Sequence, residues 1–117
     1  MGYNARNDEI RDNITRMRRA WAAERQALAT VRRFNAANGS AWFWPKIAAA
    51  LTSKHHWLII ACDSCGTVVD LDLRVKPRDP EASVRVALRD VRCPRCNGFG
   101  RPRIIALSPH PSRHVIG

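Results

Sequence analysis

"RCPRCNGFG", residues 92–100, and "ACDSCGT", residues 61–67, build the same Cys-x-x-Cys turn twice in a chain of 117 residues. The four cysteines involved, Cys62, Cys65, Cys93 and Cys96, are all that the chain has. The two residues inside each pair bring the flanking side chains to one side, so each turn offers two sulfurs. Gly66 follows the first pair and Asn97-Gly98 the second. These residue types tolerate positive φ, and the bend they allow aims backbone N–H groups at the sulfurs. One such turn is half a metal site; two complete it.

In a tetrahedral site with Zn–S near 2.3 Å, adjacent sulfurs lie about 3.7 to 3.8 Å apart, a separation that a Cys-x-x-Cys turn reaches locally. The set of Cys62, Cys65, Cys93 and Cys96 therefore reads as a closed site for one structural Zn²⁺, with no open position for substrate or activated water. The arrangement resembles the zinc ribbon superfamily over about residues 57–107, with "CDSCG" as the first knuckle and "CPRCNG" as the second. That resemblance implies knuckles at the ends of β-hairpins under a small antiparallel sheet of three or four strands. Two features depart from the pattern. Asn97 is inserted before the second glycine, and 27 residues separate Cys65 from Cys93, above the usual 15–20 or so. Long hairpin arms are the expected source of the excess.

Working outward from the knuckles, "HHWLIIA" (55–61) reads as a mostly apolar strand. "TVVDLDLRV" (67–75) alternates, with Val69, Leu71, Leu73 and Val75 on one face and Asp70, Asp72 and Arg74 on the other. "KPRDPEA" (76–82) supplies a turn, because Pro77 and Pro80 bar strand continuation. "SVRVALRDVR" (83–92) reads as the returning strand, with Val84, Val86 and Leu88 opposite Arg85 and Arg89; "RIIAL" (103–107) reads as the last. The tail, 108–117, is expected to be disordered.

Ahead of this 55–107 domain lie two further regions. Residues 1–39 read as one long cationic amphipathic helix, with Asn7 as N-cap and Asn38-Gly39 as the stop. Ile10, Ile14, Met17, Trp21, Leu28 and Val31 follow steps of four and three, with Glu24 and Asn35 as polar exceptions. Such a seam packs against its own chain, against a second copy in a homodimer, or against another partner. Residues 40–54 form an aromatic linker, Trp42, Phe43 and Trp44, and a short helix with Pro45 in its first turn. The aromatics read as a plug between elements, with a base-stacking platform or membrane anchor as the alternatives. The fold class is α+β.

Charge bears on function. Lys and Arg number 20 against 10 Asp and Glu, a formal +10, and 17 of the cations are arginine. Guanidinium suits bidentate contact with phosphate and stacking on bases. Residues 1–53 carry +5, 54–82 carry −1 and 83–117 carry +6. Arg85, Arg89, Arg92, Arg95, Arg101 and Arg103, with Phe99 among them, exceed what the negative charge of a zinc–thiolate centre requires. They are the candidate nucleic-acid contacts.

Other chemistries fit less well. Rubredoxins hold iron with similar twin knuckles, and "CPRC" is similar to their second one, but they are usually acidic. A thioredoxin-like dithiol opens a helix, whereas a strand follows here. No His is followed by x-Glu as a zinc deaminase requires. His55 and His56 are spare ligands beside a complete set, and His110 and His114 carry no readable role. No acid–base pair or nucleophile emerges, so no enzyme is expected. The longest apolar run, Trp57 to Cys62, is far short of a bilayer span. With no secretory signal, the chain reads as cytoplasmic. The composite expectation is a zinc-bearing protein that binds DNA or RNA, in transcription or translation. The alternative is a protein-interaction adaptor working through the N-terminal helix and the Trp cluster.

Overall fold

The apolar run at 57–62 becomes the central strand of a sheet, because it can bury side chains on both faces. The computed structural model describes residues 5–38, 41–96, 102–111 and 115–116. Their order is α1 (Ala5–Ala36), α2 (Ile47–Thr52), β1 (Trp57–Cys62), β2 (Val68–Asp72), a 3₁₀ helix (Val84–Asp90), β3 (Pro102–Ser108) and β4 (Val115–Ile116), an α+β chain. The sheet order is β3-β1-β2-β4. β1 runs antiparallel to both neighbours, and two-residue β4 lies parallel to β2. The tail expected to be disordered thus supplies Ser108 to β3 and Val115–Ile116 to the sheet edge.

Two rows of apolar side chains cross the sheet. Leu71, Leu58 and Leu107 are direct partners in one, and Val69, Ile60 and Ile104 in the other. Each such cross-strand pair contributes about 0.2–1 kcal/mol over Ala–Ala. Ile104 and Leu107 are three residues apart, which in a regular strand puts them on opposite faces. A register shift opposite Ile59/Ile60 makes Ile105 the extra residue and returns both to the core. Val31 and Phe34 of α1, Ile47 and Ala50 of α2, and Val84 and Ala87 of the 3₁₀ helix complete the cluster.

The alternation of β2 holds through Leu73, but the strand ends at Asp72, and Val75, expected on the face of Val69, Leu71 and Leu73, is exposed while those three are buried. The opposite face is not solvated: Asp70 is fully buried, and Asp72 nearly so. The Asp72 carboxylate accepts the backbone N–H and the Nε and Nη2 groups of Arg74 at 2.9–3.0 Å. Hydrogen bonding to that guanidinium holds its carboxyl below the usual range.

Residues 83–92 are not a returning strand. Val84–Asp90 form a 3₁₀ helix that buries Val84 and Ala87, three apart, while Val86 stays at the surface. Ala87, on the face that alternation assigns to Ser83, Arg85 and Arg89, is the residue that breaks the strand pattern. The excess length between the knuckles is therefore not hairpin arm. It reaches back to α2, where the Ala82 and Pro80 carbonyls accept the N–H groups of Ile47 and Ala48 at 2.8 and 2.9 Å, and Val84 N–H donates to Pro45 O at 2.9 Å. Lys46 makes no side-chain cap, so these carbonyls satisfy first-turn donors that a helix leaves open. Pro45 precedes α2 instead of lying in its first turn. At the other end Lys54, at φ 61, closes a Schellman motif through His55 N–H to Ala50 O and Lys54 N–H to Leu51 O.

α1 begins at Ala5, so Asn7 lies inside the first turn and is not the N-cap. Its stop is as expected: Asn38 adopts φ 54, while Gly39 lies outside the described residues. Asn35, a polar exception on the seam, has a specific partner. Its Nδ2 donates to Leu107 O and its Oδ1 accepts Leu107 N–H, both at 2.9 Å. One amide side chain thus substitutes for the next strand along the free edge of β3.

Replacing Asn35 by Ala strands both backbone groups of a buried residue. The variant should lose about 1–3 kcal/mol of unfolding free energy in a denaturant titration, with metal content unchanged.

Candidate metal centre

The first knuckle forms in the β1–β2 connection. Gly66 N–H donates to Cys62 O at 2.8 Å and Cys62 N–H to Thr67 O at 2.9 Å, closing the turn around Gly66 at φ 74. A Cβ there would meet nothing within 4 Å, so glycine is required for its backbone conformation and not for space. The second knuckle lies between the 3₁₀ helix and β3, not at a hairpin end.

The two knuckles meet sulfur to sulfur. Cys62 Sγ lies 3.7 Å from Cys96 Sγ, and Cys65 Sγ lies 3.6 Å from Cys93 Sγ. All four sulfurs fall within 4.8 Å of one another. These separations are far beyond the ~2.05 Å of a disulfide and match the edge of a tetrahedron with Zn–S near 2.3 Å, about 3.7 Å. Cys62, Cys65, Cys93 and Cys96 can together coordinate a metal ion. Cys62 and Cys93 are buried, while Cys65 and Cys96 face outward. Beneath the inner pair, Ile60, Val69, Val91 and Pro102 leave a crevice of only about 10 Å³, so the buried side of the cluster is closely packed.

The surroundings favour thiolate. The Cys96 and Arg95 backbone N–H groups hydrogen-bond the Cys93 sulfur and, against burial, bring its pKa down to about 6. The Thr67 hydroxyl lies 3.0 Å from Cys65 Sγ and, with the Thr67 backbone, lowers that thiol too. Thr67 is the member of the site that spacing alone did not single out. His55, a spare ligand by sequence, instead lies 2.7 Å from Ser53 O through Nδ1.

The arginines fall into two sets. Arg85 and Arg89 of the 3₁₀ helix and Arg103 of β3 line one open groove of about 830 Å³ with Trp44 and Asp63. Arg85 stacks on Trp44 at 5.8 Å. Arg92 and Arg95 are exposed beside the second knuckle, outside that lining. Phe99 and Arg101 lie outside the described residues. The aromatic stretch divides likewise. Phe43 packs against Phe34 at 6.2 Å as a plug, Trp44 is half exposed in the groove, and Trp42 is 85 % exposed. Among the described residues no helix is long and apolar enough to cross a membrane.

Comparison with known proteins finds no match to a family model, to a curated protein or to a solved structure. The likeness to zinc ribbons therefore rests on the two knuckles and their sulfur geometry.

Cobalt(II) added to metal-free protein should bind one equivalent and give the absorption of a tetrahedral thiolate site. Serine at any of the four cysteines should abolish it. The folded pKa of Cys93 lies below its unfolded value, so its stabilisation is present at alkaline pH and lost as pH falls through about 6. Protons displace metal in the same direction, and acid titration should bleach the cobalt band most steeply below that point.

Proposed function

We propose that this chain is a non-enzymatic, zinc-stabilised module that binds nucleic acid through the groove beside its metal centre. The observation that carries this reading is the convergence of Arg85, Arg89 and Arg103 with the half-exposed ring of Trp44 on one open surface. Three guanidiniums against the single carboxylate of Asp63 leave the groove cationic. Phosphates are held by such charges, and an aromatic face stacks a base without regard to its identity. A zinc ion held by Cys62, Cys65, Cys93 and Cys96 would supply no reaction, only a clamp.

The clamp bears on the groove directly. The 3₁₀ helix carrying Arg85 and Arg89 and the strand carrying Arg103 are joined through the second knuckle, while Asp63 belongs to the first. Joining the knuckles fixes the distance between the groove walls. A single-stranded RNA or DNA segment in a transcription or translation assembly suits a surface of this kind.

Titration of a fluorescent single-stranded oligonucleotide at several salt concentrations tests the reading. Changing Arg85, Arg89 and Arg103 together to Ala should flatten the plot of log K against log salt by roughly 2 units, as three phosphate contacts are lost. Trp44→Ala should cost about 1–3 kcal/mol without altering that slope. An unchanged slope in the triple variant removes the groove from nucleic-acid binding.

A further inference from the structure

α1 joins the core only at its C-terminal end. Ala27, Val31 and Phe34 are buried, whereas Ile10, Ile14, Met17 and Trp21 on the continuing stripe are 44–56 % exposed. The steps of four and three make Ile14, Trp21 and Leu28 the a positions and Ile10, Met17, Glu24 and Val31 the d positions of a heptad repeat. The covered seam therefore runs on uncovered, about 27 Å from Leu28 to Ile10 at 1.5 Å per residue. A hollow of about 480 Å³ lined by Trp21, Glu24, Arg25 and Leu28 marks the point where cover ends.

The flanks of this strip carry charge on one side only. The e positions are Arg11, Arg18 and Arg25, one per heptad and all exposed. The g positions are Asn13, Ala20 and Ala27. In coiled coils these flanks select the partner. We propose that the exposed part of α1 is a docking strip for an amphipathic helix of another protein. That helix carries an apolar seam, carboxylates along the edge facing Arg11, Arg18 and Arg25, and a basic residue where it meets Glu24.

A second copy fits poorly. Aligned in parallel, two copies set Glu24 against Glu24 in the seam and face each arginine with Asn or Ala. Aligned antiparallel, they set the two arginine rows against each other. Nucleic acid would satisfy the arginines but leave Ile10, Ile14, Met17 and Trp21 in water. An acidic amphipathic helix answers both the apolar stripe and the charge row, continuing an interface that the chain has already begun at Leu28 and Val31.

The probe is a synthetic three-heptad peptide with Leu at a and d, one central seam Lys, and Glu at every e and g position, where like charge keeps the free peptide monomeric. Its counterpart carries Lys in place of those Glu residues. Full-length protein should bind the Glu peptide roughly tenfold more tightly than the Lys peptide, the size expected of three exposed ion pairs, with the gap closing at high salt. Ile14→Ser with Trp21→Ser should abolish binding. Arg11→Glu, Arg18→Glu and Arg25→Glu together should reverse the preference. All five positions are exposed, and unchanged helical circular dichroism together with unchanged cobalt binding shows that α1 and the metal centre of the variants both form. Equal binding of the two peptides, or binding of neither, overturns the proposal. So does a dimer of the unmodified chain that Ile14→Ser with Trp21→Ser dissociates. Failure of the Glu peptide together with loss of oligonucleotide affinity in the Arg11→Glu, Arg18→Glu, Arg25→Glu variant would assign the strip to nucleic acid instead.

Discussion

Four sulfurs from two distant turns approach to within 4.8 Å of one another, and the rest of the body is arranged around that meeting. The short contacts cross between knuckles, Cys62 to Cys96 and Cys65 to Cys93. Unmetallated thiolates so placed would repel, and thiols would gain little from one another. A cation at their centre would reverse the sign of the interaction. The loop that such an ion would close, from residue 65 to residue 93, contains β2, the contacts onto α2 and the 3₁₀ helix, so the constraint would act on much more than the knuckles themselves. The β1–β2 and β1–β3 ladders set the register of the sheet, and the sulfur cluster ties the ends of those strands to the segment between the knuckles.

The linker between the knuckles shows how one segment serves two purposes. Its carbonyls at Pro80 and Ala82 occupy the N-terminal donors of α2, and its 3₁₀ helix places Val84 and Ala87 in the core. That anchorage turns Arg85 and Arg89 toward Arg103 and Trp44. Had the segment formed the hairpin that its alternation suggested, Arg85 and Arg89 would have lain along a strand face, and Trp44 would have had no guanidinium above it.

What could be read in advance follows the reach of each signal. Knuckle spacing is local, so the four-cysteine cluster was legible, as were β1, β3 and most of α1, whose periodicities are long or bounded by turn residues. The strand reading of 83–92 failed because Val84, Val86 and Leu88 fit period two, whereas the fold buries Val84 and Ala87, three apart, and contact with Pro45 and α2 favours that spacing. Asp70 and Asp72 matched the polar half of an alternation, but that half is buried, and Arg74, placed on the same face, pairs with Asp72. Asn35 looked like a defect in the seam, since its partner Leu107 lies 72 residues away. The arginine surface was legible in composition but only partly in placement: Arg85, Arg89 and Arg103 converge, and Arg92 and Arg95 do not line the same groove.

The division of α1 into covered and uncovered lengths has a geometric cause. Its 32 residues extend about 48 Å, whereas the longest strand, seven residues in β3, spans only about 23 Å. The body covers α1 for only about two turns, from Ala27 to Asn35, where the helix meets α2 and β3. Asn35 fixes which end is used, because its paired hydrogen bonds to Leu107 tie the last turn of α1 to the edge of β3. Everything N-terminal to Glu24 is then carried outward, consistent with a longest dimension of 73 Å against 26 and 23 Å in the other directions. The core of this chain is therefore too short for its own apolar seam, and the heptad register kept along the exposed length is what a second helix would need to complete it.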